Sequence, residues 1–149
     1  MLYIILKYFY KLRFFKRIVP SIVRKISFFK EKHIVQLDGF KLNLSLKNSV
    51  DRRIFLEGVY EDDRVSFLKK STKDIDFDYF IDIGAYIGYY SLYFSKFKNI
   101  NQIISIEPNK ESFLDLLNNI SLNKSNIIAH NIACSNKNET KRLWFSDSN

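Results

Sequence analysis

The spacing of apolar and polar positions changes character along the chain. Residues 1–32, MLYIILKYFYKLRFFKRIVPSIVRKISFFKEK, break apolar and aromatic residues with single basic ones. Lys7 and Lys11 are four apart, as are Arg13 and Arg17, so a helix gathers these charges while Ile4, Ile5, Tyr8, Leu12 and Phe15 face elsewhere. Pro20 is expected to end or kink that helix, with a second short amphipathic piece after it. From His33 the period shortens to alternation: Val35, Leu37, Phe40, Leu42, Leu44 and Leu46 flank Asp38-Gly39, which predicts a β-hairpin. Asp51 is placed to cap a short helix through Phe55 and Leu56 that stops at Gly58. A second helix is expected from Glu61-Asp62-Asp63, where acids suit the positive helix end, to about Thr72.

The remaining residues repeat a strand–helix rhythm. Tyr79 to Ile83 reads as a buried strand, Gly84 to Gly88 as a turn, and Tyr89 to Phe97 as a helix whose Tyr89, Tyr90, Tyr93 and Phe94 pack on the sheet. Ile103 to Ile106 is a second strand, and the helix from Asn109 has Phe113, Leu116, Leu117 and Ile120 on one face. A third strand begins at Ile127 and reaches about Ala133, with Thr140 to Phe145 as one further candidate. Strands alternating with helices predict an α/β fold with a parallel, Rossmann-like sheet. The chain thus divides into a basic amphipathic segment, 1–32, a hairpin and helical lead-in, 33–78, and the opening half of a doubly wound domain, 79–149.

Composition narrows the classes. The chain has 149 residues with 46% hydrophobic content, which suits one soluble domain, and its 16% aromatic content excludes a disordered chain. Residues 1–32 hold nine Lys/Arg and one acid, whereas residues 33–149 hold fifteen of each, so the net charge of +8 resides in the N-terminal segment. Its longest charge-free stretch, Met1 to Leu6, is far short of the roughly 20 residues of a membrane span. Three readings of this segment remain: a helix lying on an anionic membrane surface, a helix packed on its own domain with snorkelling basic residues, and a nucleic-acid contact. The single Cys134 excludes a disulfide framework and reads as a small buried residue, so a cytoplasmic protein is expected, in peripheral contact with the inner membrane face under the first reading. His33 and His130 have no partner at metal spacing, and no metal is expected.

The chemistry is concentrated at two strand ends. Ligands of parallel sheets bind beyond the carboxyl ends of the strands, where the first strand delivers Asp82-Ile-Gly84-Ala85-Tyr86-Ile-Gly88 and the second delivers Glu107. Gly84 lets the turn approach a ligand, Gly88 lets the next helix start tight against the strand, and that helix's first turn offers unpaired N–H groups. Glu107 is placed to accept both hydroxyl hydrogens of a ribose. A dinucleotide fingerprint needs glycine where this chain has Tyr86 and Tyr89, and no Gly-Lys-Ser/Thr follows, so NAD and ATP are disfavoured. Asp82 suits a cationic, phosphate-free nucleoside, and S-adenosylmethionine has that description. The alternative for each carboxylate is local: Asp82 as a helix cap, Glu107 as a strand-end acid, Glu61 as part of its helix start.

At these positions the chain resembles the FkbM-type S-adenosylmethionine-dependent methyltransferases. The resemblance rests on Phe80-Ile-Asp-Ile-Gly-Ala-Tyr-Ile-Gly-Tyr-Tyr-Ser91, Ile104-Ser-Ile-Glu-Pro-Asn109, Gly58-Val-Tyr-Glu61 and Asn131-Ile-Ala-Cys-Ser135, over about residues 55–145. It implies a class I methyltransferase fold and O-methylation of a glycan, glycolipid or secondary-metabolite hydroxyl. It further implies that Asp82, Gly84, Ala85, Tyr86 and Gly88 line the methionine end and that Glu107 holds the ribose. Pro108 and Asn109 then shape the adenine side, the backbone near Ile132 and Ala133 lies beneath the base, and Tyr60 and Glu61 close over the cofactor. The family often has Asn where this chain has Tyr86. Family members continue with an acid-bearing fourth strand and further strand–helix units, so this sequence resembles the N-terminal part of such a domain, and the chain alone is expected to be marginal and inactive. A noncatalytic nucleoside-binding module and an RNA methyltransferase are the alternatives; the balanced charge of residues 33–149 disfavours the latter. No catalytic base is identifiable.

Overall fold

The computed structural model describes residues 2–26 and 32–143, which form two compact units dividing between Asp76 and Phe77. In the first unit, helix α1 (Leu2–Lys11) is followed by turns and then helix α2 (Val19–Lys25). Pro20 lies in the first turn of α2, where its missing N–H forfeits no intrahelical bond; it therefore opens the second helix, and the first has already ended at Lys11. Strands β1 (Lys32–Gln36) and β2 (Lys41–Ser45) pair antiparallel with Gln36 opposite Lys41, and Leu37 N–H donates to the Phe40 carbonyl at 2.8 Å around Asp38-Gly39. The expected hairpin is present, with Gly39 at φ 77° supplying the left-handed turn residue.

Helices α3 (Ser49–Glu57) and α4 (Asp62–Thr72) complete this unit. The alternation of the hairpin buries Phe40, Leu42, Leu44 and Leu46 with Ile54 and Val23. Asp51 is not the cap of α3: it lies within the first turn, is buried, and its Oδ2 accepts from Ser45 N–H at 2.7 Å, tying the helix to the end of β2. Gly58 closes α3 in the left-handed conformation at φ 77°, as its position predicts. Glu61 precedes α4 without a side-chain cap; its Oε2 pairs with Arg64 at 3.1 Å instead.

The second unit contains β3 (Phe77–Ile83), α5 (Tyr89–Phe94), β4 (Ile100–Ile106), α6 (Lys110–Asn123) and β5 (Ile127–His130). The strands are parallel in the order β3-β4-β5, with Asp82 opposite Ser105 and Ile106 opposite His130. The α/β class and the parallel sheet stand as read from the strand–helix rhythm. Several details differ. Helix α5 ends at Phe94, β5 ends at His130 short of Ile132 and Ala133, and Leu117 of α6 is exposed, Asn119 being buried beside the expected Leu116. Cys134 is exposed, because the chain beyond β5 has left the sheet. Residues 140–143 form no strand, and Trp144 and Phe145 lie outside the described residues.

The strand expected to be buried at 79–83 is half-buried on one face and exposed on the other. Phe80 stacks on Phe94 at 4.6 Å between ring centroids, and Asp82 faces α5 with it, whereas Tyr79, Ile81 and Ile83 are exposed. Their cross-strand neighbour Ile104 and its partner Ile128 share that second face. No helix among the described residues is long and apolar enough to cross a membrane.

Candidate functional site

Strand pairing brings the two carboxylate-bearing ends together. The ladder of β3 and β4 runs to Ile83 opposite Ile106, so the glycine turn starts beside Glu107. Gly84 and Ala85 N–H groups both donate to the Ile106 carbonyl, at 2.8 and 3.0 Å, which bends the turn over the end of β4. Gly84 sits at φ 79° with open space where a Cβ would be. The position therefore needs glycine for its backbone angle, and the space beside it is available to a ligand.

Gly88 behaves differently. At φ 88° it precedes α5, and a Cβ there would lie 2.6 Å from Leu116 Cδ1. Its missing side chain makes room for α6, so the close packing it permits is against that helix and not against its own strand. Asn119, fully buried on α6, donates through Nδ2 to the Ile87 carbonyl at 2.9 Å and fixes the same turn from below.

Tyr86 adopts φ 52°, a left-handed angle that costs a bulky residue about 1–2 kcal/mol and that Asn tolerates better. The departure from the resembled family thus falls at a strained position. Its N–H donates to Glu107 Oε2 at 2.8 Å, and the other oxygen, Oε1, accepts from Asn109 N–H at 2.8 Å. Glu107 is only 7% exposed, yet both its oxygens are partnered, which is what a buried carboxylate requires. A carboxylate offers about four acceptor positions, so two remain for hydroxyl donors.

Asp82 is held by α5. Its Oδ2 accepts from Ser91 Oγ at 2.6 Å and Ser91 N–H at 3.1 Å, and Ser91 Oγ also meets Ser105 Oγ at 2.7 Å. The local alternative is therefore realised: Asp82 does satisfy a first-turn N–H of the following helix, through one oxygen. Burial raises its pKa above the ordinary Asp value, the Ser91 bonds oppose that rise, and the charge of Glu107 adds to it. Such a carboxylate is stabilised in its ionised form by any cation placed beside it.

The expectation that the first turn of α5 offers unpaired N–H groups fails at Ser91, whose N–H is taken by Asp82, and in the glycine turn before it the Tyr86 N–H is taken by Glu107. With Gly84 and Ala85 bonded to Ile106 and Gly88 N–H bonded to the Ala85 carbonyl at 2.8 Å, the turn spends these donors on the protein itself. A phosphate-binding loop does the reverse, aiming its N–H groups at the ligand.

Among the remaining predicted residues, Asn109 caps α6, its side chain accepting from Ser112 N–H at 2.9 Å. Pro108 connects it to Glu107 and accepts at its carbonyl from Asn131 Nδ2 at 3.1 Å. Asn131 also donates to the Glu107 carbonyl at 2.7 Å, fastening the end of β5 to the end of β4. Ile132 and Ala133 follow it and are exposed. Tyr60 and Glu61 belong to the first unit. Ser91, Ser105 and Asn131 lie within the motifs but carry no role in the sequence reading, and Asn119 lies outside them; the available signal was a polar residue interrupting an apolar pattern.

No family model matches the chain, and no curated protein matches it. Solved structures do. Two from Pyrococcus horikoshii, one described only as a transferase and one of TYW2 in complex with MeSAdo, each match with a TM-score of 0.51 at 21% identity, over 70% of this chain and 37% of theirs. A third, M. jannaschii tRNA m1G37 methyltransferase, gives a TM-score of 0.46 at 23% identity, over 70% of this chain and 29% of that one. The chain spans little more than a third of the length of the first two. At this identity the likeness establishes the fold: an α/β chain carrying part of a Rossmann-like sheet.

Proposed function

We propose that this chain carries the cofactor-binding part of an S-adenosylmethionine-dependent methyltransferase. The observation that carries the reading is the pair of adjacent strand ends, one glycine-bent with open space at Gly84 and one tipped by the buried, doubly bonded Glu107. The remaining acceptor positions of Glu107 take the ribose hydroxyls. The second oxygen of Asp82 takes the α-ammonium group, with Gly84, Ala85, Tyr86 and Gly88 shaping the methionine end. Pro108 and Asn109 flank the adenine, and the backbone at Ile132 and Ala133 lies beneath it. The likeness in fold to a structure holding MeSAdo supports an adenosyl ligand, and the spent N–H groups of the turn support one without phosphate.

When bound, S-adenosylmethionine supplies a methyl carbon activated by its sulfonium. The residues described here bind and orient it through charge and hydrogen bonds. The acceptor is a hydroxyl of a glycan, glycolipid or secondary metabolite, as the FkbM resemblance implies; the bound cofactor would supply the methyl group to its oxygen, and the hydroxyl proton would pass to a base or to water.

Calorimetric titration of the full chain with S-adenosylhomocysteine tests the reading. Saturable binding is expected, weakened at least ~10-fold in Glu107→Gln by loss of a charge-assisted acceptor, with NAD and ATP binding no better than to that variant. Equal affinity in wild type and Glu107→Gln, or preference for ATP, would overturn it. Binding without methyl transfer to any hydroxyl acceptor would instead support a noncatalytic nucleoside-binding module, and transfer to RNA would replace the hydroxyl acceptor.

A further inference from the structure

Helix α1 is mounted with its apolar side outward. Leu6 is 8% exposed, Tyr10 Oη donates to Glu57 Oε1 of α3 at 2.9 Å, and Lys7 Nζ lies 5.6 Å from the Phe55 ring centroid, so residues 6, 7 and 10 mark the inner side. At 100° per residue the opposite side carries Ile4, Ile5, Tyr8 and Leu12, all exposed, with Ile4 at 65% and Tyr8 at 68%. A surface helix of a soluble protein does the reverse, turning its apolar stripe to the core. Helix α2 and the turn before it repeat the pattern: Val19 and Val23 are buried, Ile18 and Ile22 are exposed, and Phe14 is 78% exposed.

The charges around these residues select what covers them. Lys11, Arg13, Lys16, Arg17, Arg24 and Lys25 are all exposed, and the first acid in the chain is Glu31. A second copy would bring the same basic surface against this one and be repelled. A nucleic acid would neutralise the charges but leave the aliphatic side chains in water. An anionic lipid surface satisfies both, taking Ile4, Tyr8 and Phe14 below the headgroups and the Lys and Arg side chains among the phosphates.

We propose that α1 and the residues through Lys25 form a membrane-surface anchor, inserting the outward face of α1 into the interfacial layer of an anionic bilayer. The anchor rests on these residues alone and is independent of the cofactor reading. Insertion lies parallel to the surface, since the apolar side chains project sideways from a ten-residue helix that is too short to span.

Flotation of the full chain with phosphatidylcholine vesicles containing about a quarter phosphatidylglycerol tests this. Binding is expected to these vesicles and to fall at least ~10-fold on pure phosphatidylcholine. The double variant Ile4→Ser/Tyr8→Ser should lose at least ~10-fold in affinity by removing two inserted side chains, while Lys69→Gln/Lys70→Gln on α4 binds as wild type. Both altered pairs include exposed positions, and unchanged far-ultraviolet circular dichroism shows that folding is retained. The proposal is overturned by equal vesicle binding in wild type and Ile4→Ser/Tyr8→Ser. It is also overturned by wild-type retention on an RNA oligonucleotide but not on vesicles, or by self-association that the same double variant abolishes in place of vesicle binding.

Discussion

The two faces of the β3-β4-β5 sheet differ in what they carry: one mixes buried apolar residues, Ile103 and Ile127, with a bonded polar cluster, and the other exposes apolar side chains. The face covered by α5 contains Asp82, Ser91, Ser105 and Glu107, with Ser91 and Ser105 wholly buried. The opposite face presents Tyr79, Ile81, Ile83 and Ile128, and Ile83 is 65% exposed. Burying polar groups costs stability unless each finds a partner, and here the carboxylates are bonded to Ser91, Tyr86 and Asn109. The covered face thus holds two carboxyl groups at one sheet edge, each supplied with hydrogen-bond partners, while the open face is an ordinary packing surface of a layered fold. Doubly wound sheets carry helices on both faces, and the described residues supply them to one.

Breaking the polar side of this contrast gives the largest effect. Glu107→Ala leaves the N–H groups of Tyr86 and Asn109 without their acceptor and is expected to cost about 3 kcal/mol, two charge-assisted bonds at the lower end of their usual worth. Urea denaturation followed by tyrosine fluorescence measures it; a loss below about 0.5 kcal/mol would mean that water replaces the carboxylate without penalty. Sharpening the apolar side gives the smallest effect. Ile83→Thr keeps a β-branched residue on the open face and should change stability by no more than about 0.5 kcal/mol while reducing dye binding to exposed apolar surface. A loss of about 2 kcal/mol would show that Ile83 is covered in solution.

The parts of this arrangement legible in the sequence are those set by period or by backbone geometry. The alternation around Asp38-Gly39 specified the hairpin, and the Ile-rich runs at 81–83 and 103–106 specified neighbouring strands because their helical neighbours are spaced for parallel crossovers. Gly39 announced a positive backbone angle and has it, and Gly84 marked a turn with open space beside it, whereas the contact that Gly88 permits is with α6 and not with its own strand. A continuous apolar run carries no record of which face is covered, however, so the exposure of Tyr79, Ile81 and Ile83 was not legible. Neither was the cradle around the carboxylates. Ser91 and Ser105 are fourteen positions apart and meet only because α5 crosses the sheet, and Asn131 reaches Glu107 only because β5 lies beside β4. Asp51 read as a cap because it precedes an apolar helix; the bond to Ser45 that displaces this role depends on the hairpin's return.

The raised pKa of Asp82 connects the buried polar face to the proposed ligand. Burial is its main cause, so the folded chain holds this proton more tightly than the unfolded one. The resulting stability is full below the unfolded pKa and is lost as pH rises through the folded value. A bound ammonium group acts against that burial and lowers the Asp82 pKa, so raising pH favours the ionised carboxylate that it pairs with.

Calorimetric affinity for S-adenosylhomocysteine as a function of pH, in wild type and Asp82→Asn, tests the central claim that this carboxylate pair grips an adenosyl amino acid. Wild-type affinity is predicted to climb as pH is raised through the titration of Asp82 and then level off, with Asp82→Asn weaker and flat. A wild-type affinity independent of pH across that range, or an Asn variant that binds as tightly as wild type, would contradict it.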